Sequence, residues 1–177
     1  MRLFTAFELP PDVCDELLRL QAELRPLPFR RWQPAKTLHL TLHFLGEVAS
    51  SRLDALDAEL RDGSRDFGTF RLQLDRLGGF PSLKHPRTLW VGIGGEIERL
   101  AAFEAKLRPH VVAAGIPLES RRYSPHITLA RDPQGSIPPL DLAPNPLGWT
   151  ASELVLFQST LQPGGAIHTP LERYPLG

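Results

Sequence analysis

One short pattern occurs twice in this chain, and it constrains the fold more than any other feature. His39-Leu-Thr-Leu42 and His126-Ile-Thr-Leu129 both read His, aliphatic, Thr, Leu, and they stand about half the chain length apart. Each lies in a run that alternates polar and apolar residues, Leu38–Leu45 and Pro125–Arg131. Alternation with period two marks a β-strand whose one face is buried. Two copies at this spacing are most economically explained by a duplicated lobe carrying one motif each.

The remaining sequence supplies partners for those strands. Residues 2–9 alternate as a strand, and Pro10-Pro11-Asp12 opens a helix with Val13, Leu17, Leu18, Leu20 and Leu24 on one side, ended by Pro26 and Pro28. Gly46 stops the first motif strand. Leu53, Leu56 and Leu60 give a second helix from Ser51 to about Asp62. Phe70–Leu77 and Thr88–Ile93 read as strands around a loop rich in Gly and Pro, from Gly78 to Pro86. A third helix runs from about Ile97 to Ala114 and stops at Gly115. A loop dense in Pro, Asp132 to Pro146, crosses the surface, and Glu153–Leu161 and Ile167–Tyr174 close the chain as strands. Mixed elements with hairpin-like strand neighbours predict an α+β fold with antiparallel sheets. No strand leads into a Gly-rich phosphate turn, which argues against the doubly wound nucleotide folds.

Composition narrows the function classes. With 177 residues, 42% hydrophobic and 23% charged, the chain suits one globular domain over residues 1–177. A single cysteine, Cys14, allows neither an internal disulfide nor a thiolate metal cluster, and a reducing cytoplasm is the expected compartment. No apolar run approaches the ~20 residues that span a bilayer, and the short apolar start reads as a strand rather than a secretory signal. Net charge is zero, which disfavours tight binding along a nucleic-acid backbone but not a grip on one terminal phosphate. A monomer with no membrane association and no cofactor is expected.

The doubled motif carries the chemistry. Residues i and i+2 of a strand share a face, so His39 projects with Thr41, and His126 with Thr128. Leu40, Leu42, Ile127 and Leu129 point the other way, into a core. Two such strands face to face suit in-line displacement at phosphorus, with a base on one side and an acid on the other. An imidazole pKa near ~6.5 lets either histidine take either role. The threonine hydroxyls can donate to the non-bridging oxygens, where charge accumulates. On the residues alone, acid and base are interchangeable.

The sequence resembles the two-histidine (2H) phosphoesterases, and among them the RNA 2′,3′-cyclic phosphodiesterases, also called 2′-5′ RNA ligases. The likeness runs nearly end to end: Arg2-Leu-Phe-Thr-Ala-Phe7, Arg31-Trp32, His39-Leu-Thr-Leu-His-Phe-Leu-Gly46, Gly79-Phe-Pro81, Arg87-Thr-Leu-Trp-Val-Gly92, Ser124-Pro-His-Ile-Thr-Leu-Ala-Arg131, Phe157-Gln-Ser-Thr-Leu161 and Tyr174-Pro-Leu176. The resemblance implies two pseudo-symmetric lobes, each an antiparallel sheet with helices outside, around a central cleft that binds no metal. It implies hydrolysis of RNA 2′,3′-cyclic phosphate ends to 2′-phosphates, with His39 as proton donor, His126 as proton acceptor and Thr41 and Thr128 on the phosphate. A 5′-hydroxyl in place of water would give the reverse, 2′-5′ ligation. The chain departs from the family near its end, where Gly165 is followed by Ala-Ile-His168 and the family commonly has a Tyr; a change there could alter specificity.

Other residues divide between function and scaffold. His43 shares a face with His39 and Thr41 if the strand is regular, as a phosphate neighbour or, with a third ligand, half of a metal pair. Arg131 would then face away from His126, and the phosphate contact that the resemblance implies needs an irregularity in the strand. Arg30, Arg31, Lys36, Lys84, Arg87, Arg121 and Arg122 flank the motifs and could make the cleft locally positive. Trp32, Phe80, Trp90 and Tyr123 are candidates to stack on a terminal base. His85, His110 and His168 are given no catalytic role, and Cys14 reads as core. The rival functions are a non-catalytic nucleotide-binding module on the same scaffold and a cyclic phosphodiesterase acting on small nucleotides.

Overall fold

The structure is a computed structural model describing residues 1–177. In chain order the elements are β1 (Arg2–Glu8), α1 (Pro11–Leu24), β2 (Phe29–Trp32), β3 (His39–Glu47), α2 (Leu53–Ser64), β4 (Phe70–Phe80) and β5 (Thr88–Gly95). They continue as α3 (Ile97–Ala113), β6 (His126–Pro133), β7 (Gly148–Ala151), β8 (Glu153–Gln162) and β9 (Gly165–Pro175). The strands form two antiparallel sheets, in the orders β3-β1-β8-β9 and β2-β6-β5-β4-β7. The α+β architecture expected from the pattern is therefore present, with one motif strand in each sheet.

The halves are interleaved. β2 comes from the first half but pairs with β6, placing Arg31 opposite Arg131. The helices exchange partners in the same way. α1 follows β1 of the first sheet, yet its Gln21 side-chain amide donates to the carbonyls of Gln33 at 2.9 Å and Leu129 at 3.0 Å, beside the second motif. α3 follows β5 of the second sheet, yet Phe103 packs on Phe7 and Glu104 meets His43 of the first motif strand. In consequence 36 buried residues drawn from both sheets and all three helices form one continuous core. Each fully buried Leu or Phe in it is worth ~1.5–3 kcal/mol.

Local chemistry explains the boundaries. Pro11 begins α1, and Val13, Leu17, Leu20 and Leu24 make its buried stripe. α3 ends where Gly115 takes φ +84° and its N–H donates to the Val112 carbonyl at 2.9 Å. Two strands escaped the pattern. β2, between Pro28 and Pro34, and β7, after the Pro-dense loop, are four residues each, too short to show alternation, and exist because β6 and β4 offer them an edge. β4 also runs on through Gly78 and Gly79, which the sequence assigns to a loop. The reason is Trp90 on β5: a Cβ on Gly78 would stand 2.2 Å from its indole Cη2, so the bare glycine lets the ring lie across the strand.

Candidate functional site

β3, at the edge of the first sheet, and β6, between β2 and β5 in the second, run side by side without strand pairing between them. His39 and Thr41 on β3 and His126 and Thr128 on β6 are half-buried, whereas Leu40, Leu42, Ile127 and Leu129 are buried beneath them. Each strand then breaks its alternation at the same place. β1 pairs with Thr41 and His43 but skips Leu42, and β5 pairs with Thr128 and Ala130 but skips Leu129. These are matching β-bulges three residues after each histidine. The polar groups they free are satisfied: the His43 N–H donates to the Thr5 hydroxyl at 3.1 Å, and the Leu129 carbonyl accepts from Gln21 and from the Gln33 N–H.

The bulges decide two expectations. His43 does not share the face of His39 and Thr41. It is turned into the core, 4% exposed, with Nε2 3.0 Å from the Glu104 carboxylate of α3. It is therefore corrected from a cleft residue to a buried link between β3 and α3. Arg131 goes the other way. The irregularity it required exists, Arg131 is exposed rather than buried, and its charge opposes protonation of both His39 and His126.

Each histidine is held differently. His126 Nδ1 lies 2.7 Å from the Ser124 carbonyl; a carbonyl can only accept, so Nδ1 carries the proton and Nε2 is left for a ligand. Phe80 meets its ring edge-on at 4.9 Å, and Trp90 lies tilted at 6.0 Å. His39 stacks on Phe4 at 4.9 Å, with the ring of His168 edge-on at 5.1 Å. Burial pushes the His39 pKa down to about 4, reinforced by the charges of His168, Arg131 and His126 and opposed by donation from the ring to the Thr37 main-chain carbonyl. Burial also lowers His126, countered by Ser124 and helped by Arg131. Both shifts favour the neutral ring. An anionic phosphate between them would favour the proton on either.

Of the candidate stacking residues, Phe80 is 36% exposed beside His126. Trp32 instead packs edge-on to Phe29 under the guanidinium of Arg25. Tyr123 is committed elsewhere, its hydroxyl donating to the Thr41 carbonyl at 2.8 Å across the gap between sheets. Among the basic residues, Arg31 is paired with Asp132 and Arg121 with Glu119, so neither charge is free. Sequence reasoning missed Phe4 and the position of His168. No local signal could have revealed either, since β9 is brought over His39 by the curl of the first sheet.

Comparison with known proteins identifies the family. A family model described as LigT like Phosphoesterase matches the chain twice, over residues 7–90 and 91–168, one copy to each motif. The RNA 2′,3′-cyclic phosphodiesterase of Thermus thermophilus is 36% identical, covering 99% of this chain and 90% of that protein. That of Escherichia coli is 32% identical, covering 99% and 96%. Among solved structures, one from Thermus thermophilus superposes with a TM-score of 0.87 at 33% identity, over 99% of this chain and 98% of the other. E. coli LigT complexed with 3′-AMP gives 0.83 at 30% identity, over 99% and 97%.

Proposed function

Because the chain belongs to the LigT-like phosphoesterase family of the 2H superfamily and is a cyclic phosphodiesterase, we propose that it opens RNA 2′,3′-cyclic phosphate ends to 2′-phosphates with two histidines and no metal. The observation that supports this reading is the pair of half-buried His–Thr faces on the neighbouring strands β3 and β6, with the charge of Arg131 acting on both histidines. Thr41, Thr128 and Arg131 hold the non-bridging oxygens. His126, with Nε2 unprotonated, takes a proton from water as its oxygen bonds to phosphorus. The bond from phosphorus to O3′ breaks, and His39 gives its proton to that oxygen. The family resemblance assigns the donor role to His39, and a bound phosphate anion favours the protonated ring that this role requires. A 5′-hydroxyl replacing water would run the same geometry toward 2′-5′ ligation. We place the enzyme in the cytoplasm as a monomer, a setting in which the free thiol of Cys14 stays reduced.

The test is turnover of 2′,3′-cyclic nucleotides and short RNAs, with the position of the product phosphate identified. His39→Asn and His126→Asn should each lose at least ~10²-fold in kcat, and a chelator should leave the wild type unchanged. Full activity in either variant, or loss on chelation, would overturn the mechanism. Nucleotide binding without turnover on any cyclic phosphate would favour a binding module on the same scaffold.

A further inference from the structure

We propose that His168 is a substrate-binding residue of this reaction, the group that holds the ribose on the side from which the alcohol departs. The inference rests on the cyclic-phosphate reading of the cleft. His168 comes from β9, at the far edge of the first sheet, where it pairs with Ser159. The curl of that sheet nevertheless lays its ring edge-on against both His39, at 5.1 Å, and Phe4, at 4.8 Å. A residue 129 positions from His39 (168 − 39) is thus built into the first histidine's immediate surroundings.

Its hydrogen bonding separates it from three of the other histidines. His126 is tied to Ser124, His43 to Glu104 and His110 to Glu59. The His168 ring forms no hydrogen bond within the protein, although it is half-buried and contributes to a cavity of about 210 Å³. That cavity is shared with His39 and is otherwise walled by Glu8, Lys36, Phe157 and Pro170 among others. A half-buried imidazole with both nitrogens free, opening onto a cavity beside the acid, is a donor and an acceptor without a partner.

The side of the cleft fixes what that partner is. The phosphate is contacted from β3 and β6. His168 touches the aromatic group Phe4, His39 and Phe157, and shares no ring contact with Phe80, Trp90 or His126. It therefore flanks His39 alone. If His39 protonates O3′, the sugar bearing that oxygen lies on this flank, with its carbon face against aromatic rings and its oxygens toward the free imidazole.

Binding is measured first, because it does not depend on turnover. His168→Phe keeps a flat ring against Phe4 and His39 and deletes both nitrogens. It should weaken adenosine 2′-monophosphate about 10-fold by calorimetry, the worth of roughly one hydrogen bond, and leave inorganic phosphate binding unchanged. In kinetics, KM for adenosine 2′,3′-cyclic phosphate should rise about 10-fold with kcat retained, whereas hydrolysis of catechol cyclic phosphate, which has no ribose, should be unaffected. His168→Asn, which restores a donor and an acceptor, should recover part of the nucleotide affinity. Unaltered nucleotide affinity in His168→Phe would overturn the inference while leaving the parent reading intact. So would an equal loss on both cyclic phosphates, since His168 would then be acting through His39. A wild type that turns over neither compound overturns the parent reading instead, and the inference with it.

Discussion

Tyr123→Phe removes one oxygen atom from the bond that crosses between the two motif strands. The hydroxyl donates to the Thr41 carbonyl at 2.8 Å, and Tyr123 immediately precedes Ser124, whose carbonyl orients His126. Burial raises the phenol's pKa far above its ordinary value, so the donor is present at every working pH. Losing the bond and leaving a part-buried carbonyl unpaired costs ~1–3 kcal/mol. In a chain of this size each kcal/mol moves Tm by ~2–4 °C, which predicts a fall of ~2–12 °C. The sharper consequence is geometric. A shift of ~1 Å between reacting groups can cost ~10² in rate, so a partial loosening of β3 against the lead-in to β6 should lower kcat about 10-fold. Tyr174→Phe is the matched control: that buried hydroxyl donates to Asp57 of α2 at 2.9 Å and touches neither motif. Thermal melts and single-turnover rates are measured together, well below both melting points. Both variants should lose stability, and only Tyr123→Phe should lose rate per folded molecule. Equal rates in the two would refute the idea that this bond sets the spacing of the motifs.

Further outcomes follow from the same geometry. Arg131→Met removes a positive charge that disfavours the protonated form of His126, so His126 should hold its proton to higher pH. The acid limb of the pH–rate profile then moves upward, and a downward move would contradict the placement of Arg131. Gly78→Ala puts a Cβ 2.2 Å from the Trp90 indole, which must move; a loss of ~1–3 kcal/mol by urea denaturation with altered tryptophan emission is expected. His39, His43, His126 and His168 all have lowered pKa values, chiefly from burial. Each binds its proton more weakly folded than unfolded, so stability is complete above ~6.5 and declines as pH falls toward the folded values. The urea midpoint should drop between about pH 7.5 and about pH 5, and a rise would invert the sign of this argument.

How much of this was readable in advance turns on the bulges. Strict alternation located β3 and β6 and put His39 with Thr41 and His126 with Thr128, because a period of two is local and survives any packing. The helices exchanged between sheets, the short strands β2 and β7, and the approach of His168 depend on contacts distant in sequence, and no window contains them. The bulges lie between these extremes. In the second motif Leu129 and Ala130 are consecutive apolar residues followed by Arg131, a pattern that a regular strand cannot bury without also burying the charge. That run is itself the signal for one extra residue. The first motif hides it, because Leu42-His43-Phe44 keeps a polar residue where regular alternation would put the cleft, and an aromatic where it would put the core. Superposing the copies removes the ambiguity: His43 falls on Ala130, a buried position, and Phe44 falls on Arg131, an exposed one. The structure has Phe44 69% exposed, the mark of an apolar residue occupying the polar partner's place. In a duplicated chain, the copy whose chemistry tolerates only one register supplies the register for both.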